Sequence, residues 1–472
     1  MGSFTQDAEL PHINLQLGWP TPSLFAREQL LKGSQSILSS PAETALALVY
    51  GPHPGYIPLR KEVAKWLSEI YSPASGPIDF SRIIISNGAS CNLANILQKF
   101  ADATYTRRIF MVEPTYFLAC PIFEDGGFKG KLQGIPEDAE EGLDIEYLRR
   151  VLQEAESERA KAVPNPDDDV PRLKTGPNFP HVYKYIVYMV PTYSNPSAKT
   201  MSLHRRKQVV ELAREYDALV VTDDVYDMLS WPADPALPDD AVGPIPPRLV
   251  DLDRSMPGRS DFGNTVSNGS FSKIVGPGVR VGWAESTKAF ADLLGEVGSS
   301  SSGGNPGQLS SMFVHHMLAA GTLQTHIKNE LIPTYRKRYY VLMSAIRKDL
   351  VPLGIEIEVG APYQTSDSSQ TTYTETVGGF FTYLRLPPGM PFAREVAAHA
   401  MEKYNLKVAF GHMFKVWGDN ESTTKAESPR GFGHCVRLCW AWHTEEELIQ
   451  GVRRLASVIL EMREGAGASN GI

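Results

Sequence analysis

The chain has 472 residues, room for one large domain or two to three smaller ones with a substantial core. Its 42% hydrophobic and 21% charged residues are ordinary for a globular protein, and a net charge of −8 without any basic run argues against a nucleic-acid binder. Four scattered cysteines are too few for a disulfide framework, and no run of about 20 apolar residues could span a membrane. Cys435 and Cys439 fall on one strand-like run, about 13 Å apart at the rise of a strand, too far for two ligands of one metal ion. Residues 1–10 are polar and acidic and lack a basic region followed by an apolar core, so no signal peptide is expected. The expected location is cytoplasmic, with reduced thiols.

In chain order, Leu17-Gly18-Trp19-Pro20 and Tyr50-Gly51-Pro52-His53-Pro54-Gly55 precede a series of short apolar runs. Residues 82–86, 108–113, 185–191, 218–223 and 279–284 read as strands rich in Ile, Val and Met. Residues 91–103 and 203–216 carry apolar residues at helical spacing, and 144–161 reads as a charged, exposed helix. Residues 164–180 look like a surface insertion, and 299–304 a flexible linker by composition. Residues 365–376 and 418–433 are expected to be mobile loops, and 465–472 a disordered tail. No internal repeat is visible.

Continuous apolar strands alternating with helices predict an α/β fold, with a mostly parallel sheet covered on both faces. From about residue 334 the pattern changes to an α+β kind. The expected organisation is therefore an N-terminal arm over 1–45, a large domain over 46–333 and a smaller C-terminal domain over 334–472. In such sheets ligands sit beyond the carboxyl ends of the strands. Four of the apolar runs end directly in polar or turn residues: Asn87-Gly88, Pro114-Thr115-Tyr116, Asn195-Pro196 and Asp223-Asp224.

The segment from Asn268 to Trp283 sets Lys273 between the hydroxyls of Ser270 and Ser272, several glycines and Arg280. Those are parts for holding a phosphate beside an amine, and glycine adds backbone freedom. Read by itself the segment could equally be a glycine-containing turn between strands. Gly88-Ala89-Ser90 follows a strand and opens a helix, so the Ala89 and Ser90 amides would point at an anion.

Taken together, these segments resemble the class I/II aminotransferases of the fold-type I pyridoxal-phosphate enzymes, over residues 14–460 and in the family's order. The Ser-Phe-Ser-Lys and Gly-Pro-Gly-Val-Arg-Val-Gly-Trp runs are most similar to the branch of 2-aminoadipate, kynurenine and aromatic aminotransferases. The resemblance implies pyridoxal 5'-phosphate as cofactor, held as an imine by Lys273, which would then carry a proton for the substrate. It assigns Asp223 to the pyridine nitrogen, with the adjacent Asp224 as the competing choice. It assigns Asn195 and Tyr226 to the phenolic oxygen and Tyr116 to stacking on the ring. Ala89, Ser90, Ser270 and Arg280 would hold the phosphate, while Ser272 either adds a hydroxyl or packs beside the lysine. Tyr50 would reach the phosphate of a neighbouring subunit, making a homodimer with shared sites, and 299–304 coincides with a loop near that boundary. Gly18, Asn195 and Arg437 would bind the substrate, Gly18 and Arg437 at its α-carboxylate. The implied reaction is ping-pong amino transfer from an L-amino acid (aromatic, 2-aminoadipate-like or otherwise large) to a 2-oxo acid such as 2-oxoglutarate. β-Elimination, as in C–S lyases, or a Claisen-type condensation needs the same residues and stays open. A regulatory module tethered to a DNA-binding domain is disfavoured, because no basic helix-turn-helix segment precedes Asn14.

Overall fold

The computed structural model describes residues 10–162, 172–303, 306–363 and 375–469. Its centre is a seven-stranded sheet built from β1 (Ile83–Ser86), β2 (Arg108–Glu113), β3 (Leu132–Pro136), β4 (Tyr185–Met189), β5 (Ala218–Asp223), β6 (Thr265–Ser270) and β7 (Gly282–Glu285). The spatial order is β1-β7-β6-β5-β4-β2-β3. All neighbours pair in parallel except β7, which is antiparallel to both β1 and β6.

The continuous apolar strands follow from cover on both faces. Ile109, Met111, Ile186 and Tyr188 pack on one side with Ile96 and Phe100 of the helix Ala89–Phe100. Phe110, Val112, Tyr185 and Val187 pack on the other with Val209 and Leu212 of the helix Leu203–Glu215. Successive residues thus feed opposite cores, so no polar alternation is visible.

A second sheet, antiparallel throughout, is formed by β8 (Glu356–Glu358), β9 (Phe381–Arg385), β10 (Ala409–Phe410) and β11 (Cys435–Cys439), in the order β8-β9-β11-β10. The helices Ile332–Asp349 and Glu445–Ser469 share its core through Leu342, Ile346, Val452 and Leu455. The N-terminal residues join this part of the molecule: Ile13–Asn14 pairs in parallel with Leu406–Lys407. None of the helices among the described residues is long and apolar enough to cross a membrane.

Several local expectations change. β6, with the sequence Thr-Val-Ser-Asn-Gly-Ser, is buried at every position yet carries no apolar run. Its polar groups are met internally: Ser267 Oγ donates to Asp224 Oδ2 at 2.6 Å, and Asn268 bridges Asn92 at 2.9 Å and the Ala89 carbonyl at 3.1 Å. The run expected over 279–284 begins as strand only at Gly282, because Arg280 takes a left-handed conformation (φ 52°) that turns the chain.

The expected linker at 299–304 contains a helical turn, Gly298–Ser301; residue 304 lies outside the described residues. Within 418–433, Asn420–Glu427 is helical, tethered by Ser422 donating to Glu113 and by Lys425 Nζ on the Gly134 carbonyl at 2.8 Å. Most of the loop expected at 365–376 and much of the insertion at 164–180 fall outside the described residues. Part of the expected C-terminal tail is helix, which runs to Ser469.

Candidate active site

A cleft of about 430 Å³ opens where the carboxyl ends of the central strands meet the second sheet and the N-terminal segment. It brings together Gly18, Ala89, Ser90, Tyr116, Asn195, Asp223, Tyr226, Ser270, Ser272, Lys273, Arg280 and Arg437, which the chain carries as far as 419 residues apart in sequence. Tyr50 is not among them. It is 83% exposed and stands beside the exposed Leu46, Leu48 and Val49.

Lys273 closes the short turn Phe271–Lys273 that follows β6, and its Nζ donates to the Gly18 carbonyl at 2.9 Å. Burial lowers its pKa to about 8, the nearby Arg437 acting in the same direction and Asp223 opposing. The amine is therefore much closer to its neutral, nucleophilic form than an exposed lysine.

Asp223 ends β5. Its Oδ2 accepts from the Tyr188 hydroxyl at 2.9 Å, and its buried Oδ1 has no hydrogen-bond partner. Burial raises its pKa to about 6, against the bond from Tyr188. A carboxylate oxygen left bare at the floor of a cleft needs a donor, and a protonated pyridine nitrogen supplies one. Asp224 is not part of the cleft lining: its Oδ2 accepts from Thr222 Oγ1 at 2.7 Å and from Ser267 Oγ at 2.6 Å. Of the two adjacent carboxylates only Asp223 lines the cleft, as the alternation of side chains at a strand end requires.

Elsewhere in the cleft, hydroxyl, amide and guanidinium groups gather in a cradle. Ser270 Oγ donates to Ser272 Oγ at 2.8 Å and accepts from the Ser272 amide at 3.1 Å. Arg280 reaches Ser272 Oγ at 3.4 Å and the Asn87 carbonyl at 3.0 Å. Ala89 and Ser90 are the first residues of the helix Ala89–Phe100, so their amides have no partner within it. Gly88 precedes them at φ 94°, and a Cβ there would stand 2.1 Å from Arg280 Nη2. These groups fit pyridoxal phosphate: amides, hydroxyls and a guanidinium suit a phosphate, a bare carboxylate oxygen suits a ring N–H, and an amine of lowered pKa suits an aldehyde.

Gly88→Ala tests that cradle. Gly76→Ala is the control, having a similar φ of 89° and nothing within 4 Å of its added Cβ. Both substitutions are expected to cost about 1–3 kcal/mol of stability through backbone strain. Only Gly88→Ala should also weaken cofactor affinity, by about tenfold or more, as measured by equilibrium dialysis. Equal affinities in the two variants would remove Arg280 and Gly88 from the cradle.

Where the second sheet meets the cleft, Arg437 projects from β11 with Nη1 on Asn195 Oδ1 at 2.5 Å and Nη2 on the Gln16 carbonyl at 2.6 Å. Its guanidinium lies 4.1 Å from the Phe381 ring centroid, and Nε has no partner. Gly18 packs so close to that ring that an added Cβ would come within 2.7 Å of it. Tyr226 is 4% exposed and packs against Phe380 and Phe381. Burial pushes the Tyr116 hydroxyl up to about 12.

Three participants have no reading in the sequence. Tyr188, the partner of Asp223, sits in an apolar strand and looks like core. Gln16 acts through its backbone carbonyl, which any residue would supply. Lys407 lines the cleft from a two-residue strand.

The family Aminotransferase class I and II matches residues 41–455. An uncharacterized protein of Saccharomyces cerevisiae is 33% identical, with 94% of this chain and 96% of that protein aligned. Aromatic-amino-acid aminotransferase 1 of Thermococcus litoralis is 27% identical over 95% of this chain and 88% of its own length. Among solved structures, the multiple substrate aminotransferase of Thermococcus profundus superimposes with a TM-score of 0.72 at 25% identity, covering 98% of this chain and 93% of that one. With a family match over most of its length and the same fold, the chain belongs to the class I and II aminotransferases and is a pyridoxal-phosphate-dependent enzyme of fold type I.

Proposed function

We propose that this enzyme moves the amino group of an L-amino acid with an aromatic, 2-aminoadipate-like or other large side chain to a 2-oxo acid such as 2-oxoglutarate. The observation that carries the reading is the double anchoring of the N-terminal segment. Lys273 binds its Gly18 carbonyl and Arg437 its Gln16 carbonyl, so amine and carboxylate grip face one another across a few residues.

When bound, pyridoxal phosphate supplies an aldehyde carbon for the amino group and a ring that accepts electrons. The chain's own groups do the rest. Ala89, Ser90, Ser270, Ser272 and Arg280, which line the cleft, would hold the phosphate, and Tyr116 would stack on the ring. Asp223 would keep the pyridine nitrogen protonated, and Asn195 and Tyr226 would donate to the phenolic oxygen. Arg437 grips the substrate α-carboxylate through its guanidinium fork, exchanging the Gln16 carbonyl for a carboxylate oxygen. Lys273 Nζ then takes the proton from the substrate α-carbon, which its pKa of about 8 allows near neutrality. One 2-oxo acid leaves, and a second takes up the amino group by the reverse sequence.

Tyr50 and the apolar Leu46, Leu48 and Val49 around it would be covered by a second copy of the chain, placing Tyr50 at the partner's phosphate. A panel of L-amino donors against 2-oxo acid acceptors, with products identified by mass spectrometry, tests the proposal. It is expected to show amino transfer to 2-oxoglutarate with aromatic and long-chain donors. Pyruvate and ammonia formed from a β-substituted amino acid without an acceptor would move the function to β-elimination.

A further inference from the structure

The charges of the cleft are strongly one-sided for a protein of net charge −8. Among its lining residues Asp223 is the one acid, against Lys273, Arg280, Arg437 and Lys407. Three of the cations are committed within the site: Lys273 to Gly18, Arg280 to the phosphate cradle and Arg437 to Asn195 and Gln16. The side chain of Lys407 makes no hydrogen bond or ion pair with any described residue.

The fold explains why this cation is where it is. Leu406–Lys407 pairs with Ile13–Asn14, and the Leu15 amide donates to the Lys407 carbonyl at 2.8 Å. The chain continues through Val408 to Ala409, which is in register with Arg437 on β11. Residues 407 and 409 are two apart on an extended chain, so their side chains share a face about 7 Å apart. Directly opposed residues of an antiparallel pair also share a face. Lys407 and Arg437 therefore rise on the same side, and both line the cleft together with Lys273.

We infer that Lys407 is a specificity-determining residue that binds the distal carboxylate of dicarboxylic 2-oxo and amino acids, of the 2-oxoglutarate and 2-aminoadipate kind. The assignment rests on the aminotransferase reading above. Arg437, planar and stacked on Phe381, suits the α-carboxylate that every substrate shares. Lys407, a compact charge on a flexible stem, suits a second carboxylate whose distance varies with chain length. It is exposed and can swing out, leaving the apolar Trp19, Leu118 and Met413 to receive a large uncharged side chain. One cleft then accepts an aromatic donor and a dicarboxylic acceptor in alternate halves of the cycle.

The test loads holoenzyme with pyridoxamine phosphate and follows its single-turnover reaction with 2-oxoglutarate and with pyruvate, which lacks the distal carboxylate. In Lys407→Ala the ratio of kcat/KM for 2-oxoglutarate over pyruvate is expected to fall by about tenfold, the worth of one charge-assisted contact. In Lys407→Glu it should fall by roughly a hundredfold, and Lys407→Arg should stay within about threefold of wild type. Turnover of pyruvate shows that each variant is folded and loaded. Normal wild-type turnover with a ratio unmoved by Ala and Glu, or equal losses with both acids, overturns the role of Lys407 alone. A wild type that reacts with neither acid overturns the proposed acceptor class, and this assignment with it.

Discussion

Lys273→Ala is expected to lower amino transfer by about four orders of magnitude while the protein still binds pyridoxal phosphate noncovalently. The loss has two sources: no amine remains to hold the cofactor covalently, and no base remains to carry the α-proton. The cofactor should persist because Ala89, Ser90, Ser270 and Asp223 lie on other elements, the helix Ala89–Phe100, β6 and β5. The measurement is single-turnover absorbance after adding amino acid, with borohydride reduction and peptide mapping of the wild type to locate the linked residue. Near-normal turnover, or a label on another lysine, would remove Lys273 from the mechanism.

The pH dependence of the same residue follows from its pKa of about 8. A lysine whose pKa is depressed is charged below that value and neutral above it. Capture of pyridoxal phosphate by the apoenzyme should therefore accelerate roughly tenfold per unit as pH rises toward 8, then level off. A plateau reached only near the range of an exposed lysine would mean that the amine is not desolvated.

Asp223→Asn is the second large effect, an expected fall of about two to three orders of magnitude in the amino-transfer rate. The substitution keeps size and shape but removes the charge that holds the pyridine nitrogen protonated. In the protein alone burial lifts Asp223 to about 6. A cationic ring nitrogen beside it would draw it back to the ionised form, because opposite charges favour each other's ionisation. A cofactor analogue methylated on that nitrogen carries a permanent positive charge and should restore part of the lost rate. No loss in Asp223→Asn, or no gain with the analogue, would reassign the residue. Asp224→Asn is the comparison: its carboxylate binds Thr222 and Ser267 away from the cleft. It should cost about 1–3 kcal/mol of stability while leaving the analogue without any advantage.

How legible each element is depends on how it is buried. β2, β4 and β5 stand out because apolar side chains feed a core on each face. β6 is just as deeply buried but does not stand out, since its burial rests on Ser267, Asn268 and their partners from distant segments. The helix Asn420–Glu427 is hidden for the same reason: its anchors, Glu113 and Gly134, lie about 300 residues away. Polar burial leaves no periodic signal, because the matching half of each bond is supplied by another part of the chain.

The candidate site divides in the same way. Lys273, Asp223, Asn195 and Arg437 are singled out by side-chain chemistry set in ordered motifs, and the chain's own pattern places Asp223 and Asn195 at the ends of apolar runs. Their convergence belongs to the tertiary structure alone. The choice of Asp223 over Asp224 is made by which face of β5 opens on the cleft. The link from Lys273 and Arg437 to the backbone of residues 16–18, and the arrival of Lys407 at the cleft, depend on one short parallel pairing, Ile13–Asn14 with Leu406–Lys407. Cofactor chemistry is local in sequence because it needs particular side chains at strand ends. Substrate recognition is not, because backbone carbonyls and a strand register carry no residue-type signature.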